Sequence, residues 1–234
     1  MEKFVLPTPE FSLKLPIAGT TVKYRPFLVR EEKLLLLLKE SKDDNLVIDN
    51  LKKVMQLCIL DDTDINKISF SDFEYLFVNM RVRSMGESVD LEVCCDSCGK
   101  MTPCSIDLNA VSEELDNVPL PDRNIMLTDE IGVIVKPLEL RDASAAANIA
   151  EKDQLKIVAL FIDKVYTKDE VHSFLEMSPE HQTAFIDSLS MKHISDIMKV
   201  VSEFPRLKAN VEYVCTHCGN ESSTTIEGLE NFFI

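Results

Sequence analysis

The hydrophobic pattern changes period several times along the chain, and each change marks an expected element. In EFSLKLPIAGTTVKYRPFLVR, residues 10–30, apolar and polar positions alternate on both sides of Gly19, which predicts a β-hairpin at roughly 11–29. Two helical stretches follow, REEKLLLLLKESK and NLVIDNLKKVMQLCIL. In the second, Val47, Leu51, Val54, Met55 and Cys58 recur at helical spacing and mark one buried face, with Cys58 a core residue. Leu34 to Leu38 leave the first helix no polar side, so it is expected to be covered on several sides, by its own fold or by a partner. A third helix is expected in SDFEYLFVNMRVRSM. There Ser71 and Glu74 have capping-box spacing, and Phe73, Leu76, Phe77 and Met80 form the apolar stripe.

From residue 124 the order recurs. NIMLTDEIGVIVKPLELR reads as a hairpin around Gly132, and ASAAANIAEKDQLKIVALFIDKVY as helical material. TKDEVHSFLEM has a capping box in Thr167 and Glu170, SPEHQTAFIDSL has Ser178 as cap with Pro179 at the first helical position, and SMKHISDIMKVVSEF follows. VPLPDRN, residues 118–124, has two prolines and reads as a linker. The expected fold class is therefore α+β, in two similar halves, 1–118 and 119–234. Each would hold a hairpin, helices and a terminal cysteine hairpin, the halves being related by a pseudo-twofold axis.

The cysteine hairpins carry the chemistry. VDLEVCCDSCGKMTPCSID, residues 89–107, and ANVEYVCTHCGNESSTTIE, residues 209–227, align without a gap at an offset of 120. In each, Cys-x-x-Cys-Gly can turn two thiolates toward one cation, the glycine taking a backbone conformation that other residues avoid. One such knuckle has two ligands where a structural zinc ion needs four, so two knuckles complete one site. Cys95, Cys98, Cys215 and Cys218 are thus the candidate metal ligands of a composite, zinc-ribbon-like site holding one zinc per chain. A set drawn from Cys94, Cys95, Cys98 and Cys104 stays open, as does substitution of one cysteine by His217; the second knuckle has Val214 and Thr224 where the first has Cys94 and Cys104. A redox Cys-x-x-Cys would need a strand-to-helix context that these strand-like flanks do not offer. Joining the knuckles closes a loop whose entropy costs roughly 4–5 kcal/mol, which structural zinc binding of about 10–16 kcal/mol exceeds. Four thiolates leave no position open for water or substrate, so the metal is structural on this reading.

Composition narrows the function further. With 25 basic against 40 acidic residues the formal charge is −15, which repels phosphate backbones and argues against nucleic acid as a partner. Apolar runs are too short for a membrane span, and the opening MEKFVLPTPE lacks the apolar stretch of a signal peptide. Seven cysteines, clustered in knuckles, suit a reducing compartment better than a disulfide framework. None of His172, His181, His193 and His217 lies beside a Ser or Cys nucleophile motif, and the six glycines form no phosphate-binding loop. No catalytic residue, other cofactor or small-molecule substrate is therefore expected.

Three runs, LPTPEFSLKLP, VKYRPFLVREEKLLL and FEYLFVNMRVRSMGESVDLEV, resemble segments of the baseplate hub assembly family of T4-like contractile-tailed bacteriophages. The resemblance covers residues 5–107 well, and the second half only through its order and its knuckle. It implies a non-enzymatic protein that binds phage baseplate hub proteins, made in the host bacterial cytoplasm and acting in assembly or in the virion tail baseplate. A zinc-ribbon regulatory protein contacting nucleic acid or transcription machinery is the alternative. The loops CDSCGK and CTHCGN carry almost no positive charge, which favours the first reading. The apolar tip Phe232, Phe233 and Ile234 and the proline-rich N-terminal run, with Pro7, Pro9 and Pro16, are candidate docking arms.

Overall fold

The computed structural model describes residues 6–39, 44–143, 145–146 and 156–232. Residues 144 and 147–155 of the expected helical stretch 143–166 therefore lie outside the described residues, as do Phe233 and Ile234. The chain is of mixed helix and sheet and divides into two compact units. Unit 1 comprises residues 1–65, 72–118 and 206–234; unit 2 comprises 66–71 and 119–205. A change of unit falls at the predicted linker, and the chain returns to unit 1 at Arg206.

Unit 1 opens with the expected hairpin. β1 (Phe11–Lys14) pairs antiparallel with β2 (Thr21–Tyr24) across a turn in which Gly19 takes a φ of 67°. Helix α1 (Val29–Lys39) follows, then α2 (Asp44–Gln56) and α3 (Phe70–Met85), the last beginning in unit 2. Leu51, Val54, Met55 and Cys58 are buried as their spacing requires, and Phe73, Leu76, Phe77 and Met80 are fully so. Removing these side chains from water drives the packing of α2 and α3. Of the leucine run, Leu35 is buried, whereas Leu34, Leu36 and Leu37 stay 46–66% exposed.

Buried charges in unit 1 each have a partner. Glu31, in the first turn of α1, accepts hydrogen bonds from the Leu28 N–H and from the guanidinium groups of Arg25 (3.0 Å) and Arg30 (2.6 Å). Burial would raise its pKa, but these donors outweigh it and hold the carboxyl below its usual range. The Asp72 carboxylate accepts the backbone N–H groups of Ile17 and Ala18, fastening the β1–β2 turn to α3. Glu74 departs from expectation. Helix α3 starts at Phe70, ahead of Ser71, so the predicted capping box does not define its start; Glu74 instead accepts the Leu207 N–H at 2.9 Å.

The remainder of unit 1 is the pair of cysteine hairpins and a helix. β3 (Ser88–Cys94) pairs with β4 (Met101–Asp107), and α4 (Leu108–Asn117) follows, capped by Asp107, whose side chain accepts the Asn109 N–H.

Among the described residues, unit 2 holds a four-stranded antiparallel meander and two longer helices. β5 (Asn124–Met126) and β6 (Gly132–Val135) form the predicted hairpin, but Gly132 starts a strand rather than making the turn. A Cβ at Gly132 would collide with the ring of Tyr166, its cross-strand partner, so the aromatic ring occupies the glycine's empty space. The segments expected to be helical are so only in part: Lys156–Phe161 and Phe174–Glu176 form short 3-10 turns, whereas β7 (Ile162–Tyr166) pairs with β6 and β8 (Val171–Ser173) with β7. Thr167 closes the β7–β8 turn by accepting the Asp169 and Glu170 N–H groups on Oγ1. That is the bonding of a helix cap, used here in a turn. Helix α5 (Pro179–Asp187) has Ser178 as its cap, as expected. α6 (Met191–Ser202) is capped by Ser190 with a reciprocal bond from the Ser190 N–H to the His193 ring.

After Arg206 the chain is again in unit 1. β9 (Lys208–Val214) pairs with β10 (Glu221–Glu227), and a last short helical turn, Leu229–Phe232, buries Leu229 and Phe232.

Candidate metal centre

The two cysteine hairpins have the same construction. Both pair seven residues with seven in unbroken antiparallel register, β3 on β4 and β9 on β10. In the first knuckle the Cys95 N–H donates to the Lys100 carbonyl and the Gly99 N–H to the Cys95 carbonyl, at 2.9 and 2.8 Å. In the second the Cys215 N–H donates to Asn220 and the Gly219 N–H to Cys215, both at 2.9 Å. Gly99 and Gly219 have φ of 68° and 74°, left-handed conformations that carry a strain cost for any side chain.

These turns bring four sulfurs together. Those of Cys95, Cys98, Cys215 and Cys218 all lie within 4.8 Å of one another. The closest approaches cross between hairpins and are reciprocal: Cys95 meets Cys218 at 3.8 Å, and Cys98 meets Cys215 at 3.7 Å. A tetrahedron of thiolates about 2.3 Å from a central zinc has edges of about 3.8 Å, and a disulfide would need about 2.05 Å, so the donor set fits a four-coordinate ion.

Beneath the sulfurs, Val93, Cys95, Tyr213 and Cys215 form a buried cluster, with Leu91, Cys104 and Ile226 packed against it. Cys104 thus sits in the apolar layer, where burial pushes its thiol up. Cys94, at the end of β3, is exposed. Neither belongs to the four-sulfur group, nor does His217, whose backbone N–H donates to Cys215 Sγ at 3.4 Å.

Two of the thiols, Cys215 and Cys98, are driven in opposite directions. The Thr102 hydroxyl, 3.3 Å from Cys215 Sγ, and then the His217 N–H hold the Cys215 thiol down at about 5. At Cys98 a backbone contact with Lys100 acts in the same direction, but desolvation and the sulfurs of Cys215, Cys218 and Cys95 push that thiol up to about 12. Crowded thiols cannot all ionise together without a cation, and a divalent ion at their centre removes the conflict.

Sequence reasoning missed Thr102. It lies seven residues after Cys95, and Ser222 lies seven after Cys215, so the alignment of the two hairpins had already paired two hydroxyls. Each reaches the other knuckle: Thr102 donates to Cys215, and the Ser222 hydroxyl to Asp96 at 3.4 Å. The four histidines form no common site; His172 pairs with Glu170 on the surface, and His193 serves as part of a helix cap.

Fold and site together define an α+β protein with a cluster of four cysteines that could hold a metal ion. Over residues 8–234 the sequence matches the family of the T4 bacteriophage base plate protein, and the chain belongs to that family, a baseplate component of T4-like phages. No curated protein and no solved structure matches it. Among the described residues no helix is long and apolar enough to cross a membrane.

Proposed function

We propose that this is a non-enzymatic baseplate protein that binds phage hub components and whose two cysteine hairpins are clamped by one structural zinc ion held by Cys95, Cys98, Cys215 and Cys218. The observation that carries the reading is the convergence of four sulfurs from hairpins far apart in sequence, in a chain of the base plate family. The zinc is structural because four thiolates leave it no open position. The protein works with other proteins in the assembling host cell or the virion tail, without nucleic acid, membrane or small-molecule substrate. Its charge of −15 supports this, as do the exposed Leu34, Leu36 and Leu37 of α1. The reciprocal sulfur contacts and matched hairpins support an ancestral duplication, with halves 1–118 and 119–234 and a local twofold at the metal.

Two measurements test the reading. Protein purified under reducing conditions contains one zinc per chain; Cys95→Ser and Cys215→Ser each abolish it, while Cys104→Ser keeps it. A metal-free wild type, or loss of zinc in Cys104→Ser with retention in Cys215→Ser, overturns the ligand set. Co-purification with separately expressed hub proteins, with and without chelator, tests the partner assignment; absence of any complex in either condition counts against it.

A further inference from the structure

Resting on the zinc reading above, we infer that Thr102 is a positioning residue of the metal centre: its hydroxyl hydrogen-bonds the Cys215 thiolate across the two hairpins and stabilises the metal-bound state. Thr102 is on β4, the exit strand of the first hairpin, while Cys215 belongs to the second. The bond from Oγ1 to Sγ is 3.3 Å, and Thr102 has no exposed surface. A threonine hydroxyl buried so completely needs a partner, and the sulfur is the one it has.

The chemistry of four thiolates calls for such a donor. A zinc ion with four thiolates keeps a net charge of −2, here in a chain whose formal charge is already −15. Excess charge on a sulfur is relieved by N–H and O–H groups aimed at it, and bonds to charged acceptors are the stronger class. Among the described residues Cys215 is the one sulfur of the four to receive a hydroxyl, and it also receives the His217 N–H. Ser222, at the equivalent position of β10, is directed to the Asp96 carboxylate. The site is therefore asymmetric although its ligands are repeated: Cys215 carries the most stabilised charge, and the centre depends on the first hairpin for a hydroxyl as well as for two ligands.

The test uses the full chain loaded with cobalt(II), whose thiolate-to-metal charge-transfer band reports electron donation by sulfur. Thr102→Val keeps the shape and removes the donor; Thr102→Ser keeps the donor. Thr102→Val is expected to weaken cobalt and zinc affinity by about 10–100-fold, the usual effect of losing a partner behind a metal ligand. It is also expected to move the charge-transfer band to lower energy, while Thr102→Ser leaves the band near its wild-type position. An unchanged band in Thr102→Val, in a protein that still binds one cobalt, overturns the inference and leaves the zinc reading standing. Failure of the wild type to bind cobalt or zinc overturns the zinc reading itself.

Discussion

Glu74 shows how one side chain can hold a remote segment in place. It is almost wholly buried on α3, accepts the Leu207 N–H at 2.9 Å, and has the Arg206 guanidinium 3.6 Å away, so it fastens the entry to β9. Burial is the largest influence on it and pushes its carboxyl up to about 7, against the charge of Arg206 and the Leu207 N–H, with Glu227 adding to the rise. A folded-state pKa above the unfolded value means that stabilisation is complete below about pH 4.5 and is lost as pH rises to about 7. Over that window the loss amounts to roughly 3 kcal/mol at most. Glu74→Gln, which cannot ionise, should flatten the slope of unfolding free energy against pH between 4.5 and 7. Urea titrations at closely spaced pH check this, and an equal slope in wild type and variant excludes the role. From sequence, Glu74 was legible only as a helix-capping acid, because its true partners are 133 positions away. The four cysteines were legible because their spacing is a local, metal-specific signal, whereas Thr102 acts only through a contact between hairpins.

Among elements, the helices with continuous apolar stripes were recognisable from periodicity, α2 and α3 above all. So were both cysteine hairpins, whose alternation survives intact in the buried faces of β3 and β9. The meander of unit 2 was half hidden. Ile162 and Val165 of β7 are buried at a spacing that a helix also permits, and Thr167 offers the same hydroxyl-to-backbone bonds to a turn as to a helix end. What fixes β7 as a strand is pairing on both sides, with β6 and β8, which no short window of sequence contains. Gly132 is where that pairing is most constrained. Gly132→Ala forces the Tyr166 ring away from the backbone and from Met126 Sδ, 3.4 Å from its hydroxyl. A loss of roughly 1–3 kcal/mol, typical of overpacking, is expected. Thermal unfolding of this variant alongside Gly132→Ala/Tyr166→Ala, in which the smaller partner leaves room, separates a steric cause from a backbone one. If the second change restores none of the difference between otherwise matched proteins, the steric account is wrong.

At the scale of the molecule, the chain leaves unit 1 twice, for residues 66–71 and for 119–205, and the sequence marks only the second departure. Pro119 and Pro121 announce that departure, whereas the return at Arg206 is made by contacts of β9 with β4 and by the bond from the Leu207 N–H to Glu74 on α3, which act at long range. The same long-range packing separates the two ends of the protein in what they do. The C-terminal turn is part of the core: Phe232 has no exposed surface, so the expectation that this tip is free to dock does not hold for that residue. The N-terminal run is different. Leu6 is 88% exposed, residues 6–10 form no strand, and among the described residues strand pairing starts at Phe11, whose ring contacts Tyr24 and lies under the Arg83 guanidinium at 4.9 Å. Pro7 and Pro9 remove backbone donors from this run and keep it extended, a form suited to lying along a partner surface. Deletion of residues 1–9 should therefore leave the melting temperature nearly unchanged and weaken co-purification with hub proteins. Deletion of 231–234 should lower stability by about 3–5 kcal/mol, the scale for losing a buried phenylalanine. Should removal of residues 1–9 also unfold the protein, or leave its hub complexes as strong as before, the N-terminal run has no docking role.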